Sequence, residues 1–140
     1  MTELTDRSCD AMIANMTPFR GTGADPGTAY EMGFGCALGL TVFAYTNLDR
    51  TFLQRVVADP SLCASQDTSN RWRDAANMTI ENFGLMDNLM LEGGIRASGG
   101  ELVVATAPDT ERFTSLVAFE ECVRRVSQVA FPGHYPGSAG

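Results

Sequence analysis

Two carboxylates six positions apart are the residues of this sequence best suited to do chemistry. Asp25 lies in a segment rich in glycine and proline, which we expect to be a loop over Thr17–Gly27. Glu31 lies in the first turn of a helix that the sequence predicts over Thr28–Leu38, closed by Gly39. A carboxylate from a loop and another from the following helix can converge on one cavity. Glycoside chemistry uses such a pair, one as nucleophile and the other as proton donor.

Each carboxylate also has a purely structural interpretation, and the spacing alone does not separate the two. Thr28 followed by Glu31 has the spacing of a capping box, in which the glutamate caps the helix instead of reacting. An aspartate before a proline, as in Asp25 before Pro26, is a common turn former. In the catalytic interpretation, the helix N-terminus stabilises an ionised nucleophile, and partial burial keeps a proton on the acid.

The composition limits what the chain can be. Its 140 residues suit one domain, and the net charge of −7 argues against a general nucleic-acid binder, since an acidic surface repels phosphates. The sequence offers no apolar run long enough for a bilayer and no signal-peptide core, so we expect no membrane association and a cytoplasmic location. We expect neither metal nor cofactor, and buried free thiols, because the cysteines are scattered and histidine occurs once: Cys9, Cys36, Cys63, Cys122 and His134.

Apolar runs and helical periodicity alternate along the chain. Strands are predicted at Ala11–Met16, Thr41–Thr46 and Glu101–Thr106. Besides the helix at Thr28–Leu38, further helices are predicted near Thr51–Val57, over Arg71–Met78 and over Phe113–Val129, with an exposed loop at Asp59–Asn70. This order favours an α/β fold, a doubly wound parallel sheet with flanking helices, in one domain over residues 1–131 followed by a flexible tail over 132–140. Ligands of such folds bind beyond the carboxyl ends of the strands, where the Thr17–Gly27 loop lies.

Three segments in order carry a resemblance to a known family. They are SCDAMIANMTPFRG at residues 8–21, DPGTAYEMG at 25–33 and FGLMDNLML at 83–91. Together they resemble the core of the nucleoside 2-deoxyribosyltransferases. The resemblance implies transfer of 2-deoxyribose between nucleobases through a covalent deoxyribosyl-glutamate intermediate, with deoxynucleosides and free nucleobases as the small-molecule partners. It also implies a homo-oligomer, from dimer to hexamer, whose active sites are shared between subunits.

The resemblance assigns a role to particular residues. Glu31 matches the nucleophile, and Asp25 matches the aspartate that handles the proton of the departing and arriving base. Asn88 matches an asparagine that a neighbouring subunit lends to the 5′-hydroxyl, although asparagine in a loop is usually a cap. Met90 matches a methionine that packs near the nucleophile, although methionine is usually a core residue. Two further substrate-binding candidates belong to the family's loop: Arg20 and Gly27.

From the resemblance, we expect the sequence to lack the first two strands of the family domain and its base-binding segment. On this expectation, the sequence corresponds to the C-terminal two-thirds of the family domain. We expect a three-stranded parallel sheet whose first strand, Ala11–Met16, is an edge, and a recombinant chain that is poorly soluble and nearly inactive. Two alternatives to the transferase remain. One is a hydrolase of deoxynucleoside 5′-monophosphates, for which Arg20 is the only cation in the loop; the other is a non-catalytic remnant that binds nucleosides.

Overall fold

A computed structural model describes residues 9–130, and the predicted tail at 132–140 lies outside them. The strands are β1 (Ala11–Asn15), β2 (Thr41–Thr46), β3 (Ser65–Gln66), β4 (Trp72–Arg73) and β5 (Leu102–Val104). The helices are α1 (Pro26–Ala37), α2 (Phe52–Ala58), α3 (Leu89–Ala97) and α4 (Val117–Ala130). Short 3-10 turns lie at Pro60–Leu62 and Asp109–Glu111.

The main sheet has three parallel strands in the order β1-β2-β5. Ile13 of β1 lies opposite Phe43 of β2, and Tyr45 of β2 lies opposite Val103 of β5. The three predicted strands and the α/β fold class are therefore confirmed. Among the described residues β1 pairs with β2 alone, so it is an edge strand, as expected.

Alternating side chains of the sheet supply two separate cores. On one face, Val42 and Ala44 pack with Met32 of α1 and Ile95 of α3. On the other face, Phe43 and Val103 pack with Ala118 and Cys122 of α4. Because successive side chains of a strand point to opposite faces, this alternation makes the sheet the middle layer, with α1 and α3 on one side and α4 on the other.

Two glycines occupy positions where the backbone requires a glycine. A Cβ atom at Gly100 would lie 1.9 Å from the carbonyl oxygen of Val42, so only glycine fits where the chain enters β5 beside β2. Gly39 has φ +80° just after the end of α1, in agreement with its predicted role as a helix-ending glycine.

The prediction of a helix over Arg71–Met78 is wrong. The chain there forms β4 and a turn, because the Asp74 carboxylate accepts the backbone N–H groups of Ala76 and Met78. Asn77 has φ +62°, which a helix does not allow. Side chains of aspartate and asparagine thus compete with the helix for the backbone. Similarly, the loop predicted over Asp59–Asn70 contains a 3-10 turn and β3, which pairs with β4 as an antiparallel hairpin.

The last helix begins at Val117, four residues later than predicted. The preceding turn is held by Asn47, whose amide donates to the carbonyl oxygens of Arg112 and Ser115, 3.0 Å in each case. A contact between segments distant in sequence therefore overrides the local helical periodicity.

The thiols are free, but they are not all buried as predicted. Cys122 is fully buried and donates to the Ala44 carbonyl at 3.2 Å, whereas Cys9 and Cys63 are exposed. Cys63 follows a 3-10 turn in the left-handed conformation, a surface position that leaves no core for its side chain. Within residues 9–130, no helix has the length and apolarity to span a membrane.

Candidate active site

Asp25 is the residue that begins α1. It occupies the N-cap position, its Oδ1 accepts the N–H of Gly27 at 2.8 Å, and Pro26 is the first helical residue. Both residue types are favoured at these positions, because aspartate satisfies a free N–H and proline needs none. The prediction that Thr28 is the N-cap is therefore wrong. The Asp-Pro dipeptide was the sequence signal for the earlier start.

Gly27 lies directly against the Asp25 carboxylate and fixes its position. A Cβ atom on residue 27 would lie 2.9 Å from Asp25 Oδ1, closer than side-chain atoms normally approach. The N–H of Gly27 is the hydrogen-bond donor to that same oxygen. Gly27 was predicted as a substrate-binding residue; its contacts in the structure are with Asp25 itself.

Glu31 lies in the second turn of α1 and is exposed. The prediction that it lies in the first turn is wrong, because the helix begins two residues before Thr28. Six residues along a helix correspond to an axial distance of about 9 Å, and helical side chains lean back toward the N-terminus, so the Glu31 side chain leans toward the end of α1 that Asp25 caps. The helix dipole acts mainly within the first turn, so it contributes little to Glu31. Within residues 9–130, the Glu31 carboxylate has no hydrogen-bond or ion-pair partner and is free to meet a ligand.

Asn88 and Met90 stand at the start of α3, which packs against α1. Asn88 is the N-cap: its Oδ1 accepts the N–H of Met90 at 2.8 Å, and its Nδ2 donates to Glu81 Oε1 at 3.1 Å. The cap that an asparagine in a loop often forms is therefore present. Met90 is 77% exposed, so within this chain it is not a core residue.

Arg20 is exposed, and its guanidinium lies over the Phe19 ring at 5.0 Å from the ring centre. The structure does not bring it into a cluster with the carboxylates by any direct contact. A cavity of about 220 Å³ opens instead beside the following turn, Gly21 and Thr22. Three arginines from other segments line it: Arg50, Arg55 and Arg112.

Sequence reasoning missed those arginines and Asp87. Arg55 and Asp87 are 32 positions apart and form a buried ion pair at 3.0 Å. No spacing rule connects positions so distant, and Arg55 looks like an ordinary charge on a short helix. The one available signal was that Asp87 immediately precedes Asn88 in the third family segment.

Comparisons with known proteins relate the sequence and the fold of this chain to one family. The sequence profile described as nucleoside 2-deoxyribosyltransferase matches residues 6–90, which include both carboxylates and Asn88. A solved 2-desoxiribosyltransferase from Leishmania mexicana is similar in structure, with a TM-score of 0.53 and 29% identity over 87% of this chain and 60% of that one. An uncharacterized protein of Schizosaccharomyces pombe is 32% identical over 113 residues, which are 73% of this chain and 52% of that protein.

The chain thus spans about half the length of the curated relative it matches. The profile nevertheless covers more than half of this chain, and the parallel sheet with its flanking helices agrees with the solved relative. The chain belongs to the nucleoside 2-deoxyribosyltransferase family.

Proposed function

We propose that the chain cleaves the N-glycosidic bond of 2′-deoxynucleosides and transfers the 2-deoxyribose to another nucleobase. Glu31 attacks the anomeric carbon and forms a glycosyl ester as the base departs, and Asp25 gives that base its proton. A second base then attacks the same carbon, returns its proton to Asp25 and releases Glu31. Hydrolysis results when water replaces the second base.

The observation that carries the proposal is that two carboxylates of the same helix are held differently, one at its N-cap and the other in its second turn. Asp25 is fixed by the Gly27 N–H and is partly shielded from solvent, whereas Glu31 is exposed and without a partner in the described residues. A proton donor needs a fixed position relative to the leaving group, and a nucleophile needs an accessible oxygen. The fixed position of Asp25 therefore suits a proton donor, and the accessibility of Glu31 suits a nucleophile.

Sharing of the site between subunits is part of the proposal. Met90 is 77% exposed at the start of α3, and on the neighbouring helix α1 Tyr30 and Phe34 stack at 6.4 Å with Tyr30 73% exposed. Apolar side chains so exposed are typical of surfaces that a partner covers. We therefore propose a homo-oligomer in which Asn88 and Met90 reach the site of a neighbouring subunit.

The test is to trap the sugar on the protein. Intact-mass spectrometry with a slow fluorinated deoxynucleoside should show one deoxyribosyl adduct, located on Glu31 by peptide mapping. Glu31→Gln should abolish the adduct and lower turnover by several orders of magnitude. Glu120→Gln, which alters another exposed helical glutamate, is the matched control and should retain both. An adduct on a different residue would overturn the assignment, and binding of deoxynucleosides without adduct or turnover would favour the non-catalytic remnant.

A second candidate reaction is hydrolysis of deoxynucleoside 5′-monophosphates. The cavity beside Gly21 and Thr22 favours it, because guanidinium groups bind phosphate and Arg50 and Arg112 line this cavity together with the single carboxylate of Asp59. Deoxyadenosine and its 5′-monophosphate should be assayed side by side, with and without free cytosine. Arg50→Gln should raise KM for the nucleotide alone if the phosphate binds there. An equal KM change for both substrates would discard this candidate.

A further inference from the structure

The ion pair between Arg55 of α2 and Asp87 is the most buried one in the described part of the chain. The two side chains are 7% and 5% exposed, while each other ion pair in residues 9–130 has at least one partner more than a quarter exposed. Removing two charges from water is unfavourable, and an apolar pair of similar volume is often as stable as a buried ion pair. Stability alone therefore does not account for this pair.

Arg55 uses its remaining donors on the backbone of two loops. Its Nε donates to the carbonyl oxygen of Thr22 at 2.6 Å, and its Nη1 donates to that of Arg50, also at 2.6 Å. The guanidinium thus joins the loop after β1 to the loop after β2. A lysine could replace the charge but not this planar set of donors.

Asp87 holds the same loop from the other side. Its Oδ2 accepts the N–H of Ala24 at 2.9 Å in addition to the Arg55 guanidinium, and its Oδ1 accepts the N–H of Asn88 at 2.8 Å. Gly23 lies between the two anchored residues, and a Cβ on it would lie 3.5 Å from Asp87 Oδ1. The pair therefore fixes the backbone immediately before Asp25, and the same carboxylate fixes the start of α3.

We infer that Arg55 and Asp87 are positioning residues for the reaction. They hold the backbone of Thr22 and Ala24, so that the Asp25 carboxylate faces the leaving base at a set distance from the carbon that Glu31 attacks. This inference rests on the proposed function. Neither residue touches the reacting atoms; both act through Asp25.

The test is the double substitution Arg55→Met with Asp87→Leu, which removes both charges and leaves no unpaired buried ion. The kcat of this variant on deoxyadenosine, whose base must be protonated to leave, should fall about 100-fold, since a displacement of a catalytic group by about 1 Å can lower the rate that much. A 2-deoxyribosyl substrate with an activated phenolic leaving group, which needs no proton from Asp25, should lose less than fivefold. The exchange of the Ala24 amide hydrogen, followed by NMR, should accelerate at least tenfold, because its acceptor is gone.

The partly exposed pair Arg73 and Asp67, also 3.0 Å apart, provides the matched control. Arg73→Met, which breaks that pair but keeps the Asp67 carboxylate on which the hairpin depends, should change neither the ratio of the two rates nor the exchange of the Ala24 amide. If the double variant does not fold, Arg55→Lys provides a milder test, because it keeps the charge but loses the planar set of donors. Its kcat on deoxyadenosine should fall about tenfold, and its kcat on the substrate with the activated leaving group should fall less.

Failure of this inference is distinguishable from failure of the proposed function. Turnover by the unaltered chain, lost in Glu31→Gln, establishes the reaction without reference to the ion pair. Equal losses on both substrates in a folded double variant, or rates equal to those of the unaltered chain, would overturn the positioning role. An unchanged exchange rate of the Ala24 amide would overturn it as well.

Discussion

Replacing Gly27 with alanine separates the position of the Asp25 carboxylate from the stability of the helix. The new Cβ would lie 2.9 Å from Asp25 Oδ1, whereas ordinary contact begins at 3.4 Å, so the carboxylate must retreat by about 0.5 Å, the difference between these distances. Since a misplacement of 1 Å can cost about 100-fold, we expect kcat on deoxyadenosine to fall about tenfold.

The free energy of unfolding should hardly change in this variant. Alanine is up to about 1 kcal/mol more favourable than glycine in a helix, and a weakened N-cap costs about 1 kcal/mol, so the two effects nearly cancel. Steady-state kinetics on deoxyadenosine and urea unfolding measure the two quantities. Gly93→Ala, in α3 with open space around its Cβ, is the control and should alter neither the rate nor the fold. A Gly27→Ala variant with unaltered kcat would refute the reasoning.

Three further results are expected. Asp25→Asn should impair cleavage of deoxyadenosine more than cleavage of a substrate with an activated leaving group, and equal losses would identify Asp25 as a structural cap alone. Burial raises the pKa of the Cys122 thiol from 9.0 to about 11, so the unfolded chain loses this proton first and the free energy of unfolding should fall between pH 9 and 11. Cys122→Ala should remove that part of the pH dependence, whereas Cys63→Ser, at an exposed thiol, should not. The edge strand β1 should make the recombinant chain associate or precipitate, so a monodisperse monomer in size-exclusion chromatography would contradict the expectation.

The three sheet strands were predictable because each is a short apolar or β-branched run bounded by polar residues or glycine. Thr41–Thr46 was predicted with its observed bounds, since Val42, Phe43 and Ala44 are all buried and leave no polar interruption. The helix carrying Glu31 was predictable from the polar residue near its start and from Gly39 after its end, but its first residue was not. From the sequence, Asp25 could form a turn or cap the helix, and only the folded structure distinguishes these two roles.

Segments without strong periodicity were not predictable. The hairpin of β3 and β4 depends on Asp67, whose carboxylate accepts the N–H groups of Ser69 and Arg71 and pairs with Arg73. Helix α3 was not predicted, because Gly93 and Gly94 lie in its interior, where glycine is unfavourable. The ion pair between Arg55 and Asp87 depends on the tertiary fold, so no local sequence pattern predicts it.

The ion pair also has a consequence for how the chain can change in evolution. The ion pair holds together the two ends of residues 56–86, and this stretch contains the β3–β4 hairpin. The entropy of closing a flexible loop grows only slowly with its length, by about 0.6 kcal/mol for each doubling. Insertions and deletions in the interior of this stretch should therefore change the free energy of unfolding little, while Arg55 and Asp87 stay in place near Asp25. Variation in length among relatives should accumulate between the clamped ends and spare the carboxylates.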